Sequence, residues 1–386
     1  MMKILIATDS FKHSLSSYEA ASSLSGGIKK VLKDLEINLS PVADGGEGTV
    51  QALTDATKGR LVHAGVHDPL MRKVRASFGI LGDDKTAVIE MAGASGIELL
   101  KPEERDPLKT TTYGAGELIK AALDNQCSRI ILGIGGSATI DGGAGLLAAL
   151  GAIFIDQQDE ALLPTGGNLD QIHKIYTDSL DPRLKDLKIR IGTDVDNPLT
   201  GDKGAAAVYG PQKGAGPREI KKLEKSLCSY ADLLEKHTGT HFHSMPGAGA
   251  AGGLAISLLA FTNAGMESGF TLIAEETGLE DKIKAADLII TGEGKIDEQT
   301  AFGKTAYGVA QLAKKYSKPV IAVAGAIGGG IEALYEKGFD LILPVTEGPT
   351  DLETSMKEAP NLLENAGMRI ARIIKLGQKY FGALRL

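Results

Sequence analysis

The sequence predicts an α/β protein of two domains. Near both ends of the chain, short apolar runs rich in β-branched residues are each followed by a glycine-containing polar loop and a helical pattern, which is typical of βα units in a parallel sheet. Between residues 59 and 92 the runs are short or alternate and are separated by turns, which predicts antiparallel strands. A length of 386 residues is sufficient for two domains.

Both ends of the chain have the pattern of βα units, and the middle has a mixed pattern. We therefore expect the second domain to be inserted into the first. The predicted bounds are 1–58 plus 285–386 for the parallel-sheet domain and 59–284 for an inserted mixed α/β domain. Ligand sites commonly lie where domains meet, and we therefore expect the active site in the cleft between the two.

Composition excludes several classes of function. A net charge of −7 and a sequence pI of about 5.6 argue against binding to nucleic acid or to an anionic membrane. The two cysteines, Cys127 and Cys228, are far apart and are expected to be free thiols in a reducing cytoplasm. The first residues predict a strand rather than a signal peptide, and residues 247–266 are too rich in glycine and polar residues for a membrane span. We expect a cytoplasmic protein.

The first βα unit carries candidate ligand-binding side chains. Residues 3–8 predict a strand and residues 16–32 a helix, which Ser16 and Glu19 begin with a capping-box pattern. Ser10 and Lys12 lie between them, where a parallel sheet binds ligands. The alternative is that the polar residues of this loop cap the helix or are solvated.

The second βα unit also has a polar loop between its strand and its helix. A strand at 37–41 leads into Asp44-Gly45-Gly46 and then a helix at 50–56. The glycines allow the backbone to approach a ligand, and the carboxylate suits a cation or a hydroxyl group.

In the middle of the chain, strands are predicted at 61–66, 73–81, 86–91 and 129–132, with a helix at 115–125. A run of small residues, 133–143, follows the last of these strands. Successive amides of small residues, with hydroxyl side chains among them, form a nest that binds anions. The predicted anion ligands are Gly135, Gly136, Ser137 and Thr139; the alternative is a tight turn that packs a strand against a helix.

Further along, a strand at 189–192 precedes Asp194 and Asp196. These acids are predicted to provide a base or a Mg²⁺ ligand. The alternative is that they form an Asx turn. A polar helix is predicted at 217–236. A zinc site at His237, His241 and His243 is disfavoured, because only the last two would share a face of a strand. Residues 247–252 match GxGxxG in letters but follow no strand, so they are a weak dinucleotide signal.

The last third of the chain contains the stretch with the most candidate ligand-binding and catalytic side chains. A strand at 287–291 leads into Gly292-Glu293-Gly294, Lys295 and Asp297, followed by a helix at 307–316. Strands at 319–324 and 340–344 and a helix at 361–376 complete the chain. Gly303-Lys304-Thr305 resembles the end of a P-loop, but Glu298 stands where that motif needs glycine. Several glycine loops with acids and a few lysines indicate a Mg²⁺-dependent phosphoryl transferase.

The motifs also resemble a known family. The sequence is similar along its whole length to the glycerate kinases of the bacterial type-I class, through KILIATDSFKHSLSSYEAA, PVADGGEGTVQAL, DPL with Arg72, GIGGSATIDGGAG, DVDNPL, PGAGAAGGL and TGEGKIDEQTAFGKTAYGVA. The resemblance implies ATP-dependent phosphorylation of D-glycerate, with 2-phosphoglycerate the preferred product, and a Rossmann- or flavodoxin-like domain built from both chain ends. The family usually has Pro and Gly where this chain has Thr8 and His13.

Roles follow as hypotheses. Asp194 is the predicted general base, with Lys12 and Lys295 neutralising charge on phosphate or carboxylate. The predicted substrate ligands are Ser10, Asp44, Gly45, Gly46, Arg72, Gly135, Gly136, Ser137, Thr139 and Asp141. Gly292, Glu293, Gly294 and Asp297 are predicted to bind ATP, and Glu293 and Asp297 to bind Mg²⁺.

Other functions stay open at this point. A kinase that gives 3-phosphoglycerate or acts on another small hydroxy acid is the first alternative. A non-catalytic hydroxy-acid binding protein is the second. A nicotinamide-dependent oxidoreductase is disfavoured because the first loop has no dinucleotide fingerprint.

Overall fold

The computed structural model describes residues 1–43, 45–46, 48–301 and 305–380. The α/β class predicted from the sequence is confirmed. The chain forms two compact units, the first of Met1–Asp44, Gln51–Ala56 and Phe270–Leu386, the second of Gly45–Val50 and Thr57–Gly269. Residues 270–284, which the sequence analysis placed in the inserted domain, lie in the first unit.

The strands of the described chain are, in order, β1 Met2–Thr8, β2 Leu35–Leu39, β3 Arg60–His67, β4 Lys73–Ile80, β5 Thr86–Glu90, β6 Arg129–Gly133, β7 Ile153–Ile155, β8 Ala161–Leu162, β9 Lys174–Tyr176, β10 Lys188–Gly192, β11 Asn263–Glu267, β12 Leu288–Ile296, β13 Val320–Ile327 and β14 Leu341–Pro344.

The α-helices are α1 Ser17–Val31, α2 Thr49–Thr57, α3 Ala92–Ser95, α4 Tyr113–Asp124, α5 Ala144–Ala149, α6 Ala205–Tyr209, α7 Pro217–Thr238, α8 Ala255–Phe261, α9 Gly269–Glu276, α10 Leu279–Ala285, α11 Thr305–Lys315, α12 Glu332–Glu336, α13 Leu352–Lys357 and α14 Ala359–Tyr380. Short 3₁₀ helices lie at Ile97–Leu99, Pro102–Glu104, Leu169–Gln171, Pro182–Lys185, Pro211–Lys213, Ala250–Gly253 and Glu298–Ala301.

The first unit is built on a parallel sheet with the strand order β14-β13-β12-β1-β2. Side chains alternate along β1, so its two faces belong to different cores. Leu5 packs in a cluster with residues of α10 and α11, and Ile4 packs in a cluster with residues of α1 and α14. This sheet therefore lies between two layers of helices. Its carboxyl edge, where β1 and β12 end, holds the candidate side chains of this unit.

The second unit has a mixed sheet with the order β11-β10-β6-β5-β4-β3. The first four of these strands are parallel, and β4 is antiparallel to both β5 and β3. The antiparallel strands predicted between residues 59 and 92 are thus confirmed for β3 and β4, while β5 joins both arrangements. A separate small sheet, β8-β7-β9, was not predicted because its strands are only two or three residues long.

Two strands extend beyond their predicted ends at residues 291 and 324. β12 runs through Gly292-Glu293-Gly294 to Ile296, and β13 runs through Gly325 to Ile327. The two strands stay paired over these glycines, with Glu293 beside Ala324 and Lys295 beside Ala326. Glycine permits the pairing because a Cβ atom at Gly292 would lie 2.4 Å from the Val323 carbonyl oxygen. Glu293 therefore projects from a sheet strand rather than from a turn.

No helix in the described part of the chain is both long and apolar enough to cross a membrane.

Candidate active site

The first group of candidate residues surrounds the end of β1. The amide of Asp9 donates to the carbonyl of Gly292 (2.9 Å), which keeps β1 and β12 together beyond their last sheet pair. The amide of Ser10 donates to the Asp9 carboxylate (2.6 Å). Lys12 is exposed, and a Cβ atom at Gly294 would lie 3.8 Å from its amide nitrogen. The structure thus brings the backbone of Lys12 beside the glycine motif of β12.

The two departures from the family pattern have local explanations. The hydroxyl of Thr8 donates to the carbonyl of Ser17 (3.2 Å) and so ties the end of β1 to α1. His13 has a φ of 61°, in the left-handed region where glycine is favoured and where histidine is enriched among other residues. The backbone at position 13 therefore has the conformation that a glycine would adopt.

Thr300 joins the Glu293 carboxylate of β12 to the backbone of Asp297, the residue after the strand ends. Its hydroxyl donates to Glu293 Oε1 (3.1 Å) and accepts from the Asp297 amide (3.2 Å). Both acidic residues are only 8% exposed. The Lys295 ammonium lies 2.8 Å from Asp297 Oδ2, and this ion pair raises the pKa of Lys295. Two carboxylates and a lysine therefore lie along one short segment at the carboxyl edge of the sheet.

Magnesium suits this donor set. Mg²⁺ is usually held by one or two carboxylates, waters and substrate phosphates rather than by a full protein cage. Glu293 and Asp297 provide such carboxylates, and the described residues contain no cluster of three or more metal-binding side chains. Asp44, the further acid predicted near the site, lies outside the described residues.

Two glycine segments of the second unit lie against each other. A Cβ atom at Gly133 would be 2.3 Å from the carbonyl oxygen of Gly45, and one at Gly135 would be 3.1 Å from the α-carbon of Gly46. Gly45 also has a φ of 84°, which disfavours other residues. The structure therefore brings together Gly45, Gly46 and the loop after β6, which the sequence analysis singled out separately.

The loop after β6 presents free backbone donors. Within the described chain the amides of Gly135, Gly136 and Ser137 have no hydrogen-bond acceptor, and both glycines are exposed. A neighbouring segment holds the loop in place: Ile97 donates to the Gly136 carbonyl (2.9 Å) and Ala138 donates to the Ser95 carbonyl (2.9 Å). Consecutive free amides are what an anion nest requires.

Asp141 does not face a ligand position in this structure. It is fully buried, and its carboxylate accepts from the Thr112 amide (2.7 Å), the Thr112 hydroxyl (2.8 Å) and the Gly143 amide (3.2 Å). Burial raises its pKa, and these hydrogen bonds oppose the rise. Its oxygens are used inside the protein, where they hold the loop, and the contact of Asp141 with substrate stays a prediction.

Arg72 is likewise occupied. Its Nε donates to Asp68 (2.6 Å) and its Nη1 to Glu104 (2.7 Å), and these contacts raise the pKa of the guanidinium. Its remaining nitrogen donates to the Leu99 carbonyl (3.3 Å) and to Glu104 (3.5 Å). A guanidinium balanced by two carboxylates is a weaker ligand for an anionic substrate. Arg72 forms a structural ion pair here, and its contact with substrate stays a prediction.

Asp194 lies just beyond the end of β10, as predicted. Its Oδ1 accepts from the Ser268 hydroxyl (2.9 Å) and the Gly269 amide (3.0 Å), which fixes the carboxylate beside the start of α9. The side chain is half-buried, whereas Asp196 is exposed. An oriented carboxylate at the end of a parallel strand is suitable for accepting a proton.

The sequence analysis missed Lys213. This lysine is 2% exposed, and its ammonium donates to the Ser137 hydroxyl (2.7 Å) and to the Thr139 carbonyl (2.8 Å). Burial lowers its pKa to about 7, and the nearby charge of Asp141 opposes the shift. The available signal was a lysine in a stretch rich in glycine and alanine, and this does not distinguish a buried from a solvated side chain.

Comparison with known proteins agrees over the whole chain. Residues 4–375 match the model of the Glycerate kinase family. A Glycerate kinase from Bacillus subtilis is 48% identical over 98% of this chain and 100% of its own length, and a Glycerate 2-kinase from Escherichia coli is 45% identical over 99% and 100%. The crystal structure of a protein assigned as glycerate kinase 2 from Salmonella typhimurium superposes with a TM-score of 0.89 at 44% identity, covering 98% of this chain and 99% of that one.

Proposed function

The chain belongs to the glycerate kinase family, and on that premise we propose that it transfers the γ-phosphoryl group of ATP to the 2-hydroxyl of D-glycerate. The products are 2-phosphoglycerate and ADP, and the hydroxyl proton is released to a base. Full-length similarity to a relative named Glycerate 2-kinase is the observation that carries the choice of hydroxyl. A kinase requires a phosphoryl donor, and ATP and Mg²⁺ are the donor and metal that we propose.

The donor site is proposed on β12. Gly292 and Gly294 let the backbone approach phosphates, and Glu293 and Asp297 would hold Mg²⁺, which neutralises phosphate charge when bound. Lys295 carries a positive charge next to Asp297 and is proposed to stabilise the group in transfer. Lys12, exposed beside Gly294, is proposed to neutralise a phosphate or the glycerate carboxylate.

Asp194 is proposed as the general base. The hydrogen bonds from Ser268 and Gly269 hold one carboxylate oxygen and thereby orient the group. A base within hydrogen-bond reach of the acceptor hydroxyl contributes about 10²- to 10⁴-fold to rate.

The glycerate contacts are proposed on small residues. Ser10, Gly45, Gly46, Gly135, Gly136, Ser137 and Thr139 are retained from the sequence analysis, and Asp44 is retained from sequence alone. Asp141 and Arg72 are not, because their polar atoms are used in structural contacts. The proposed compartment is the cytoplasm, where ATP is available.

Steady-state turnover tests the proposal. Purified protein with D-glycerate, ATP and Mg²⁺ should produce ADP in proportion to glycerate consumed, and L-glycerate should be a poorer acceptor. Omission of Mg²⁺ should abolish turnover. ADP formation with a different hydroxy acid, and none with D-glycerate, would show that the acceptor is that other acid. The absence of phosphoryl transfer to any hydroxy acid would contradict the proposal.

A further inference from the structure

The feature that the proposed mechanism leaves unused is the buried ammonium of Lys213. It ends the 3₁₀ helix Pro211–Lys213 and reaches the loop after β6, where it contacts Ser137 and Thr139. Burying a lysine without a directly paired carboxylate is costly. Two neutral oxygens are weak compensation, which indicates that the charge is kept for another purpose.

The contact with Ser137 fixes the direction of a proton. An ammonium has three N–H donors and no acceptor, so in this contact the serine oxygen must accept. The serine proton is then free to donate, and among the described residues no acceptor for it is present. Ser137 itself is buried, with 8% of its surface exposed, and it follows the exposed residues Gly135 and Gly136. When it is charged, Lys213 therefore holds Ser137 as an oriented donor.

Further donors lie in the same loop pair. The amides of Gly135, Gly136 and Ser137 are without acceptors in the described chain, as given above. The hydroxyls of Thr139 and Ser95 are fully buried and have no hydrogen-bond partner among the residues that the structure describes. Ser95 adjoins the loop directly, because its carbonyl accepts from Ala138 and Gly96 forms a β-bridge with Ser137. Buried hydroxyls are rarely left unpaired, so their presence here indicates a missing polar ligand.

We propose that Lys213 is a positioning residue of an oxyanion site, in which it aims the Ser137 hydroxyl at the anion and places positive charge beneath the free amides of the loop. The ligand is an oxyanion, either the carboxylate of the hydroxy acid or a phosphate group. The identification of those two sources rests on the proposed kinase function; the site itself does not.

The charges around Lys213 make the site sensitive to protonation. Asp141, buried on the same loop, is the charged group that acts on the ammonium. Arg105 approaches the neighbouring Gly214 through its backbone, since a Cβ atom at Gly214 would lie 2.1 Å from the Arg105 carbonyl oxygen. With a pKa near 7, the Lys213 side chain is largely the neutral amine at pH 8 when no anion is bound. An arriving anion favours the charged form, so binding at pH 8 should take up a proton.

Calorimetry on the full chain tests the proposal. D-glycerate and inorganic phosphate are titrated separately at pH 8 in two buffers with different ionisation enthalpies, into the wild type and Lys213→Met. We expect the wild type to take up a fraction of a proton with at least one of the two probes. We expect the variant to bind that probe at least tenfold more weakly without proton uptake. Which probe shows the effect identifies the source of the oxyanion.

Controls separate this role from a structural one. Lys222→Met removes another lysine of the same unit, one that pairs with Asp170 and does not contact the loop after β6. This variant should leave binding and proton uptake unchanged. Ser137→Ala, which keeps the buried lysine, should also weaken the binding of the probe whose binding Lys213→Met weakens. A folded Lys213→Met protein, judged by circular dichroism, that binds both probes as the wild type does would overturn the proposal. So would equal proton uptake in wild type and variant. Because the readout is binding, failure of kinase turnover would not be mistaken for either result.

Discussion

Asp194 offers the sharpest test of the mechanism at the scale of single residues. Replacement by Asn keeps the size and the hydrogen-bond acceptor toward Ser268 and Gly269 but removes the basic oxygen. We expect kcat to fall by about 10²- to 10⁴-fold with a small change in KM. The matched control is Asp196→Asn, two residues further on and exposed, which should retain activity. Near-normal turnover and an unchanged pH profile for Asp194→Asn would show that another group is the base.

The carboxylates of β12 make a second prediction at this scale. Glu293→Gln keeps an oxygen for the Thr300 hydroxyl but removes the negative charge. We expect it to raise the Mg²⁺ concentration that gives half-maximal rate, because a neutral amide is a weaker ligand for a hard cation. Glu298→Gln is the control, since Glu298 is an exposed acid of the same segment. Equal Mg²⁺ dependence in both variants would remove Glu293 from the proposed metal site.

Lys213 predicts a pH dependence of stability. Its pKa is about 7 in the folded protein and about 10.4 when the side chain is solvated. Between these values the unfolded state binds more protons, so the contribution of Lys213 to the free energy of unfolding rises with pH, by at most about 1.4 kcal/mol per pH unit. Urea unfolding of wild type and Lys213→Met at pH 7, 8 and 9 should show the wild type gaining relative to the variant. A constant difference would mean that the lysine is not buried as described.

These residues also show how far sequence could identify the site. Positions that follow strands, such as Ser10 and Asp194, are found from pattern, because strand ends are visible in the letters and lie at the ligand edge of a parallel sheet. The roles of Asp141 and Lys213 depend on burial and on partners that are distant in sequence. The Thr112 donors to Asp141 lie 29 residues away, and the Ser137 partner of Lys213 lies 76 residues away. No local pattern records such pairings.

At the scale of elements, the packing of α1 against α14 depends on glycine. A Cβ atom at Gly27 would lie 1.8 Å from the Glu364 carbonyl oxygen, and one at Gly367 would lie 2.3 Å from the Leu24 carbonyl oxygen. Gly26, the neighbour of Gly27 in the same helix, has nothing within 4 Å of its would-be Cβ atom. The two helices can therefore approach closely only along the face that contains Gly27 and Gly367.

This arrangement predicts opposite effects for two adjacent substitutions. Gly26→Ala should raise the free energy of unfolding by about 0.5–1 kcal/mol through helix propensity. Gly27→Ala should lower it by about 1–3 kcal/mol or more, because the added methyl group forces the helices apart. Thermal or urea unfolding of the two variants is the measurement. Equal stabilisation by both would show that α1 and α14 are not in close contact at Gly27.

Elements differ in how well sequence predicts them. The capping box of Ser16 and Glu19 is confirmed, because both partners lie within one turn of helix. The continuation of β12 through Gly292 and Gly294 was not predicted, because glycines in a polar segment normally indicate a turn. Here the glycines serve close approach of β12 to β13, and that requirement exists only once the two strands are neighbours.

At the scale of the whole molecule, family and fold class could be recognised from the sequence because the motifs are long, unusual and in order along the chain. The assignment agrees with the family model over residues 4–375 and with relatives matched over nearly their full length. The bounds of the two units were less accessible. Residues 270–284 have no strand of their own, and α10 is assigned to the first unit by the packing of Leu279 and Ile283 with the core that contains Leu5.

The central claim is phosphoryl transfer from ATP to the 2-hydroxyl of D-glycerate, and ³¹P NMR of the reaction mixture tests it most directly. We predict a new phosphomonoester signal that appears as ATP is consumed and is coupled to a single CH proton, as in 2-phosphoglycerate. Coupling to a CH₂ group would identify 3-phosphoglycerate and contradict the proposed position. The absence of any phosphomonoester, with ATP left intact, would contradict the kinase reaction itself.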